Sequence, residues 1–211
     1  LNRETGKFIS LLPTIFQNVY QKIDPKTGEV EYRDDILNQK TNQWFGSCPG
    51  PEGGHNWQAT SYNQPTDLLL IPLSQSCVMI TGRDVELRLG GGGTANSQKF
   101  YFMPGTDRNM GRLMAVNTKT MKPVWTWQQQ SPFLTAMLST KTGIAFVGDF
   151  DRVFRAIDVK TGKELWRTRL GNTAQGYPVT FAINGKQYIV VAISGQGYNA
   201  ELVAFALPGN N

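Results

Sequence analysis

The chain has 211 residues, 40% of them apolar and only 18% charged, with 22 glycines and 11 prolines; this suits a globular core built from short strands and turns and argues against a helical protein. The net charge of +5 comes from 21 Lys and Arg that are scattered along the chain, so solvated surface accounts for them and nucleic-acid binding is not expected. No apolar stretch reaches the roughly 18 residues that span a bilayer, and no signal peptide opens the sequence.

In chain order, the first element is LNRETGKFI at 1–9, a strand, a turn and a strand, as though the chain begins inside a domain of a longer protein. A second polar turn follows at Asp24 to Gly28, after an ambiguous apolar stretch at Ile15 to Ile23 that fits either a short helix or a strand. Trp44 to Ile80 has a different character. Its two cysteines, Cys48 and Cys77, are the only ones in the chain and lie 29 residues apart. Their even count without CxxC spacing favours a structural disulfide closing a hairpin over a metal site or redox pair, with two buried free thiols as the open alternative. Between them lies Gly53-Gly54-His55-Asn56-Trp57. An amide that both donates and accepts, next to an indole, is suited to holding a flat polar ligand. His55 is the only histidine, which excludes a three-histidine zinc centre and leaves no Ser-His-Asp triad to nominate.

Residues 89–112 read as a long Gly-rich loop. The run Gly91-Gly92-Gly93 lacks the Lys-Ser/Thr ending and the following helix of a phosphate loop, so an exposed loop is expected. The strongest signal follows. AVNTKTMKPVW at 115–125 and AIDVKTGKELW at 156–166 match in register over the whole block, at a constant offset of 41 residues. Each holds a short apolar strand (Leu113 to Val116, Phe154 to Ile157), an Asn- or Asp-headed turn and a strand ending in Trp125 or Trp166. A repeat of this length is that of one four-stranded propeller blade, with the indole wedged between neighbouring sheets. Four such turn blocks can be counted, the first two carrying Phe8 and Tyr32 near the Trp position. The tail alternates through Gly176 to Phe181, turns at Asn184-Gly185 as a type I′ hairpin, and continues through Gln187 to Ile193 and Leu202 to Leu207. The fold expected is all-β: a single partial propeller domain over 1–211 of about four W-shaped blades.

These residues also resemble a known family. Cys48-Pro49, Gly53-Gly54-His55-Asn56-Trp57, Tyr62-Asn63, Cys77, Gly148-Asp149-Phe150-Asp151, Thr161-Gly162-Lys163-Glu164-Leu165-Trp166 and Gly176-Tyr177-Pro178-Val179-Thr180 are similar to the C-terminal part of the pyrroloquinoline quinone (PQQ)-dependent alcohol dehydrogenases, the eight-bladed quinoproteins that include methanol dehydrogenase. The resemblance implies a Cys48–Cys77 disulfide, a periplasmic location, and contacts to PQQ from Asn56, with Trp57 beside it, and from Tyr198. It departs at Leu134, where Ser131 to Ala136 replaces a Trp-Gly-Gly pattern. In the family the catalytic Asp, the residue polarising the quinone and the Glu, Asn and Asp ligands of calcium or a lanthanide precede the LNRETG-like strand. No catalytic residue and no metal ligand is therefore expected here. Asp149 and Asp151 read as solvated turn carboxylates.

The activity implied is oxidation of an alcohol at PQQ, with electrons passing to cytochrome c or a similar carrier, and this chain supplying one wall of the cofactor chamber without tight PQQ binding or turnover of its own. Separate N-terminal blades or self-association would cover its sheet edges. The competing readings are a non-catalytic propeller scaffold that binds protein partners, and a PQQ-dependent sugar or polymer dehydrogenase. Shared blades cannot decide between them; the Cys48, Asn56-Trp57 and Cys77 constellation favours the alcohol dehydrogenase.

Overall fold

The computed structural model describes residues 1–86, 88–91 and 95–208. Among them, strands follow in chain order as β1 (Tyr20–Ile23), β2 (Val30–Tyr32), β3 (Phe45–Ser47), β4 (Ser61–Asn63), β5 (Leu68–Ser74), β6 (Ser76–Gly82), β7 (Asn96–Phe102), β8 (Gly111–Asn117), β9 (Lys122–Gln129), β10 (Leu138–Ser139), β11 (Ile144–Gly148), β12 (Val153–Asp158), β13 (Glu164–Arg169), β14 (Ala174–Ile183), β15 (Lys186–Gly195) and β16 (Tyr198–Ala206). Helix is confined to α1 (Asp34–Leu37) and one 3-10 turn at Gln64–Thr66. Of the ambiguous Ile15 to Ile23 stretch, Tyr20–Ile23 forms β1 and 15–19 are neither helix nor strand.

The chain forms two compact units, Leu1–Gly54 with Gln75–Arg108, and His55–Ser74 with Asn109–Asn211. The first holds the β1-β2 ribbon and the antiparallel sheet β3-β6-β7. The stretch 89–112 is not the continuous loop expected: Asn96–Phe102 pairs with β6 over its whole length, from Gly82↔Asn96 to Ser76↔Phe102, and Gly111 already opens β8. β6 brings buried Ser76, Cys77, Val78 and Thr81 to that pairing, and in the sequence the adjoining glycines mask it. Gly92 and Gly93 of the Gly91-Gly92-Gly93 run lie outside the described residues.

The second unit holds three antiparallel sheets, β4-β5-β8-β9, β10-β11-β12-β13 and β14-β15-β16. Each begins with its own inner strand and meanders outward, the W of a propeller blade. In the first of them β8 returns to β5 in register from Leu68↔Asn117 to Ser74↔Gly111 after the β6–β7 excursion. The all-β, bladed architecture read from the repeat is the one observed.

Strand alternation builds the core between these sheets. In β11, Ala145 and Val147 point into a cluster with Leu68, Leu70, Leu113, Ala115 and Phe133, while Phe146 between them joins Phe154, Leu170, Val191 and Ile193 on the opposite side. The middle sheet is thus buried on both faces, which requires apolar residues at consecutive positions.

The turn blocks repeat in three dimensions. The backbone amides of Gly6, Gly28, Met121 and Gly162 donate to the carbonyls of Asn2, Asp24, Asn117 and Asp158 at 2.9, 2.9, 2.8 and 2.8 Å. The side-chain oxygens of those four heading residues accept amides of the turn, such as Thr5, Thr27, Thr120 and Thr161 at 2.8–2.9 Å. Both groups of an Asx turn are thereby satisfied by one residue. The last residue has φ of +69°, +75°, +53° and +71° respectively, so glycine is favoured and Met121 is the exception.

The aromatic residue ending one block seats on the turn of the next. A Cβ at Gly162 would lie 2.7 Å from Trp125, and one at Gly28 would lie 2.4 Å from the Phe8 ring. Phe8 therefore does in the first unit what Trp125 does in the second. Trp166 continues the series by packing edge-on against Phe205 of the third sheet at 5.3 Å. The Asn184-Gly185 hairpin has φ of +50° and +77°, the pair of positive values that type I′ requires.

Candidate functional site

The expected disulfide is present: Cys48 and Cys77 are bonded, both buried, with Cα atoms 4.4 Å apart. It belongs to the first unit, where β3 and β6 pair antiparallel at Ser47↔Val78. The cysteines do not close a simple hairpin, because β4 and β5, which lie between them in sequence, pair into another sheet. Asn18 holds the Cys48 backbone at both ends, its Oδ1 accepting the Cys48 amide at 2.7 Å and its own amide donating to the Cys48 carbonyl at 2.8 Å.

In the second unit three segments entering the inner strands converge. The Met137 amide donates to the Ala59 carbonyl at 3.0 Å, and the Ala136 amide to the Gly176 carbonyl at 2.8 Å, where Thr135 and Gly176 form a parallel bridge. The Tyr177 hydroxyl then donates to the Trp57 carbonyl at 3.0 Å and closes the circuit from the third segment to the first. Side chains reinforce it below: Ser61 and Ser139 hydroxyls meet at 2.7 Å, and Asn63 Nδ2 donates to the Thr140 carbonyl at 2.9 Å. Fully buried Thr135 adds a bond from the Gly148 amide to its hydroxyl at 2.7 Å.

Of the residues nominated from sequence, Asn56 and Trp57 adjoin this convergence and Tyr198 does not. Asn56 is exposed, Trp57 is 43% exposed, and Gln58 turns inward, its Nε2 donating to the Phe133 carbonyl at 3.5 Å. His55 is exposed. Tyr198 opens β16 opposite Gly195 and is 74% exposed. It lies at the same end of the third sheet as Tyr177 but two strands farther out, and no ring contact joins it to Trp57 among the described residues. Leu134, half-buried, donates its amide to the Gly148 carbonyl at 3.1 Å and so lies within the converging segments.

Tyr177 is a residue to which the sequence assigned no site role: Gly176-Tyr177-Pro178-Val179-Thr180 reads as a strand and as part of the family resemblance. Asp149 is a correction. Rather than a solvated turn carboxylate, it is 1% exposed and bonded to Arg155 Nη1 at 2.6 Å, to Gln129 Nε2 at 3.0 Å and to the Val153 amide at 3.0 Å. Arg155 in turn bonds Glu164 at 3.2 Å and lies 5.3 Å from the Trp127 ring centre. A buried carboxylate needs such a partner set, so this network is structural. Asp151 is exposed, as expected. No three His, Cys, Asp or Glu residues gather as a metal-binding group among the described residues, and no helix there is long and apolar enough to cross a membrane.

Several of the shifted ionisations are those of turns and surface pairs, whereas burial alone lowers Arg112 of β8. The Thr27 and Lys26 amides hold the Asp24 carboxyl below its ordinary value, and the Thr161 hydroxyl and amide do the same for Asp158. Asp67 is lowered by Lys119, which is itself raised, and by the Tyr62 hydroxyl.

Antiparallel sheets whose entering segments converge in this way are those of a β-propeller. The family model described as "PQQ: Glucose/ethanol/alcohol dehydrogenase, beta-propeller domain" matches residues 98–189. The chain is 30% identical over 213 residues to the lanthanide-dependent methanol dehydrogenase of Methylacidiphilum fumariolicum (strain SolV), covering 99% of this chain and 34% of that protein. It is 31% identical over 206 residues to a lupanine 17-hydroxylase [cytochrome c] of a Pseudomonas species, covering 93% and 28%. A solved europium-containing methanol dehydrogenase superposes with a TM-score of 0.77 at 27% identity, over 86% of this chain and 32% of that one. Over nearly its whole length the chain is similar to proteins of this PQQ dehydrogenase type, and residues 98–189 match the family's β-propeller domain. It spans about a third of the length of the curated relatives it matches.

Proposed function

We propose that residues 1–211 belong to one propeller domain of a PQQ-dependent alcohol dehydrogenase and contribute a wall of its cofactor chamber through Asn56, Trp57 and Tyr198. The observation that carries this reading is the meeting of segments 57–59, 133–137 and 174–177, with residues Asn56 and Trp57 exposed beside it. Inner strands that meet on one side leave a shared end at which a planar guest can lie against several blades at once.

The exposed donor set fits such a guest. A primary amide offers both donors and an acceptor to a rim of carbonyls and carboxylates, and an indole offers area for stacking and one N–H. PQQ, when bound, supplies a two-electron acceptor for alcohol oxidation. Asn56 would hold its rim, Trp57 would cover part of its face and exclude water, and Tyr198 would approach from the third sheet. Calcium or a lanthanide would be held by residues other than those described here. An alcohol as substrate, cytochrome c or a similar carrier as electron acceptor, a periplasmic location, and sheet edges covered by other blades or by self-association belong to the same proposal.

The test is quenching of tryptophan emission by added PQQ, in the wild-type chain and in Asn56→Ala. Loss of a hydrogen bond to a charged or strongly polar ligand lowers affinity by roughly tenfold. A half-saturation raised by about that factor supports the reading; identical curves for both proteins refute it.

A further inference from the structure

We propose that Tyr177 is the positioning residue for the Asn56-Trp57 pair, a role that rests on reading the pair as part of a quinone wall. Tyr177 makes a single hydrogen bond through its hydroxyl, to the carbonyl of Trp57 at 3.0 Å, across a sequence separation of 120 residues.

Tyr177 sits at an irregularity of β14, where the register with β15 shifts between Gln175 and Val179. Its preceding residue, Gly176, accepts the Ala136 amide at 2.8 Å and bridges Thr135, which is fully buried. Its following residue is Pro178, which confines Tyr177 to extended backbone. The loop it meets has no strand of its own before Ser61. That loop is anchored at three consecutive residues. Ala59 is tied by its carbonyl to Met137 and Gln58 by its side chain to the Phe133 carbonyl, both on the buried side. Only the bond at Trp57 is made at the exposed surface, and Tyr177 itself is 59% exposed.

The two buried anchors fix where the loop enters the sheet. The Tyr177 hydroxyl adds to them the direction of the Trp57 carbonyl, in the peptide unit next to the Asn56-Trp57 pair. Because the bond is exposed, its removal costs little global stability. Its effect belongs to loop geometry, which is what separates a positioning residue from a structural one.

Tyr177→Phe keeps the ring and deletes the donor. Hydrogen exchange by mass spectrometry on the full chain without ligand is expected to show peptides covering residues 55–60 exchanging about threefold to tenfold faster than in wild type, with the denaturation midpoint unmoved. PQQ titration of the same variant is expected to raise the half-saturation by a similar factor. Unchanged exchange over 55–60 overturns the clamp. Faster exchange with unchanged PQQ half-saturation, in a protein where Asn56→Ala does raise it, shows that Tyr177 steadies the loop without aiming its recognising groups and overturns the positioning role. If Asn56→Ala also leaves PQQ half-saturation unmoved, the quinone-wall reading falls, and the exchange result alone decides the clamp.

Discussion

The indole nitrogen of Trp125 donates to the carbonyl of Val159 at 2.8 Å, while the ring lies against Gly162 of the same turn. Trp125 ends one turn block and Val159 to Gly162 lies within the next, so the two copies of the repeat are physically joined. The repeat's turn residues are thus chosen twice: once for the turn and once for the aromatic side chain that covers it.

Gly162→Ala should destabilise by more than its backbone conformation explains. A positive φ costs a residue with a Cβ about 1–2 kcal/mol, and here the new methyl also meets Trp125 at 2.7 Å. Gly6→Ala is the control, because Gly6 has a similar φ of +69° and nothing within 4 Å of its Cβ position. Urea denaturation should place Gly162→Ala about 1–3 kcal/mol below that control, the range of overpacking. Equal midpoints would mean that the Trp125 seat is loose.

Asp149→Ala should be among the most damaging single changes in the second unit. It leaves Arg155, 7% exposed at its side chain, buried without its strongest partner, a situation that costs about 3–5 kcal/mol. Arg155→Met in the Asp149→Ala background should recover part of the loss, as read from denaturation midpoints. A loss below about 1 kcal/mol for Asp149→Ala would restore the view of it as an ordinary turn residue.

The Asp-headed and Asn-headed turns should separate at low pH. Folded Asp24 and Asp158 have lowered values, so their contribution is present above the unfolded aspartate value near ~3.9 and is lost as pH falls through the lower folded value. Carboxyl titration by NMR should place both below that ordinary value. Amide signals of Thr27 and Thr161 should move in the acid range, and those of Thr5 and Thr120, bonded to Asn2 and Asn117, should stay still. Ordinary titration of Asp24 and Asp158 would contradict the turn geometry.

Reduction of Cys48–Cys77 should release two thiols where the unreduced, unfolded chain shows none, and should lower stability by about 2–5 kcal/mol. Two titratable thiols before reduction would contradict the bond.

The blades were legible because their signal is periodic and local: Asn117 and Asp158 head matching turns, and Trp125 and Trp166 sit at matching ends. Phe8 could be placed at the same position, though its seat on Gly28 depends on space that sequence does not record. β7 was hidden beneath glycines, since the same residues that mark a loop also flank a strand. Asp149 was misread because a Gly-Asp-Phe-Asp turn looks solvated until Arg155, six residues on, folds back beneath it. Asn56 and Trp57 were nominated through their chemistry, and both are exposed. Tyr177 was not, because its role arises from a contact with a residue 120 positions away, and no short motif carries such information.

The most direct measurement is a two-dimensional amide and indole NMR titration of the chain with PQQ. The account predicts that the Asn56 side-chain amide, the Trp57 indole and the Tyr198 amide shift together with one saturation curve. Shifts confined to other surfaces, with Asn56 and Trp57 unmoved, would contradict it.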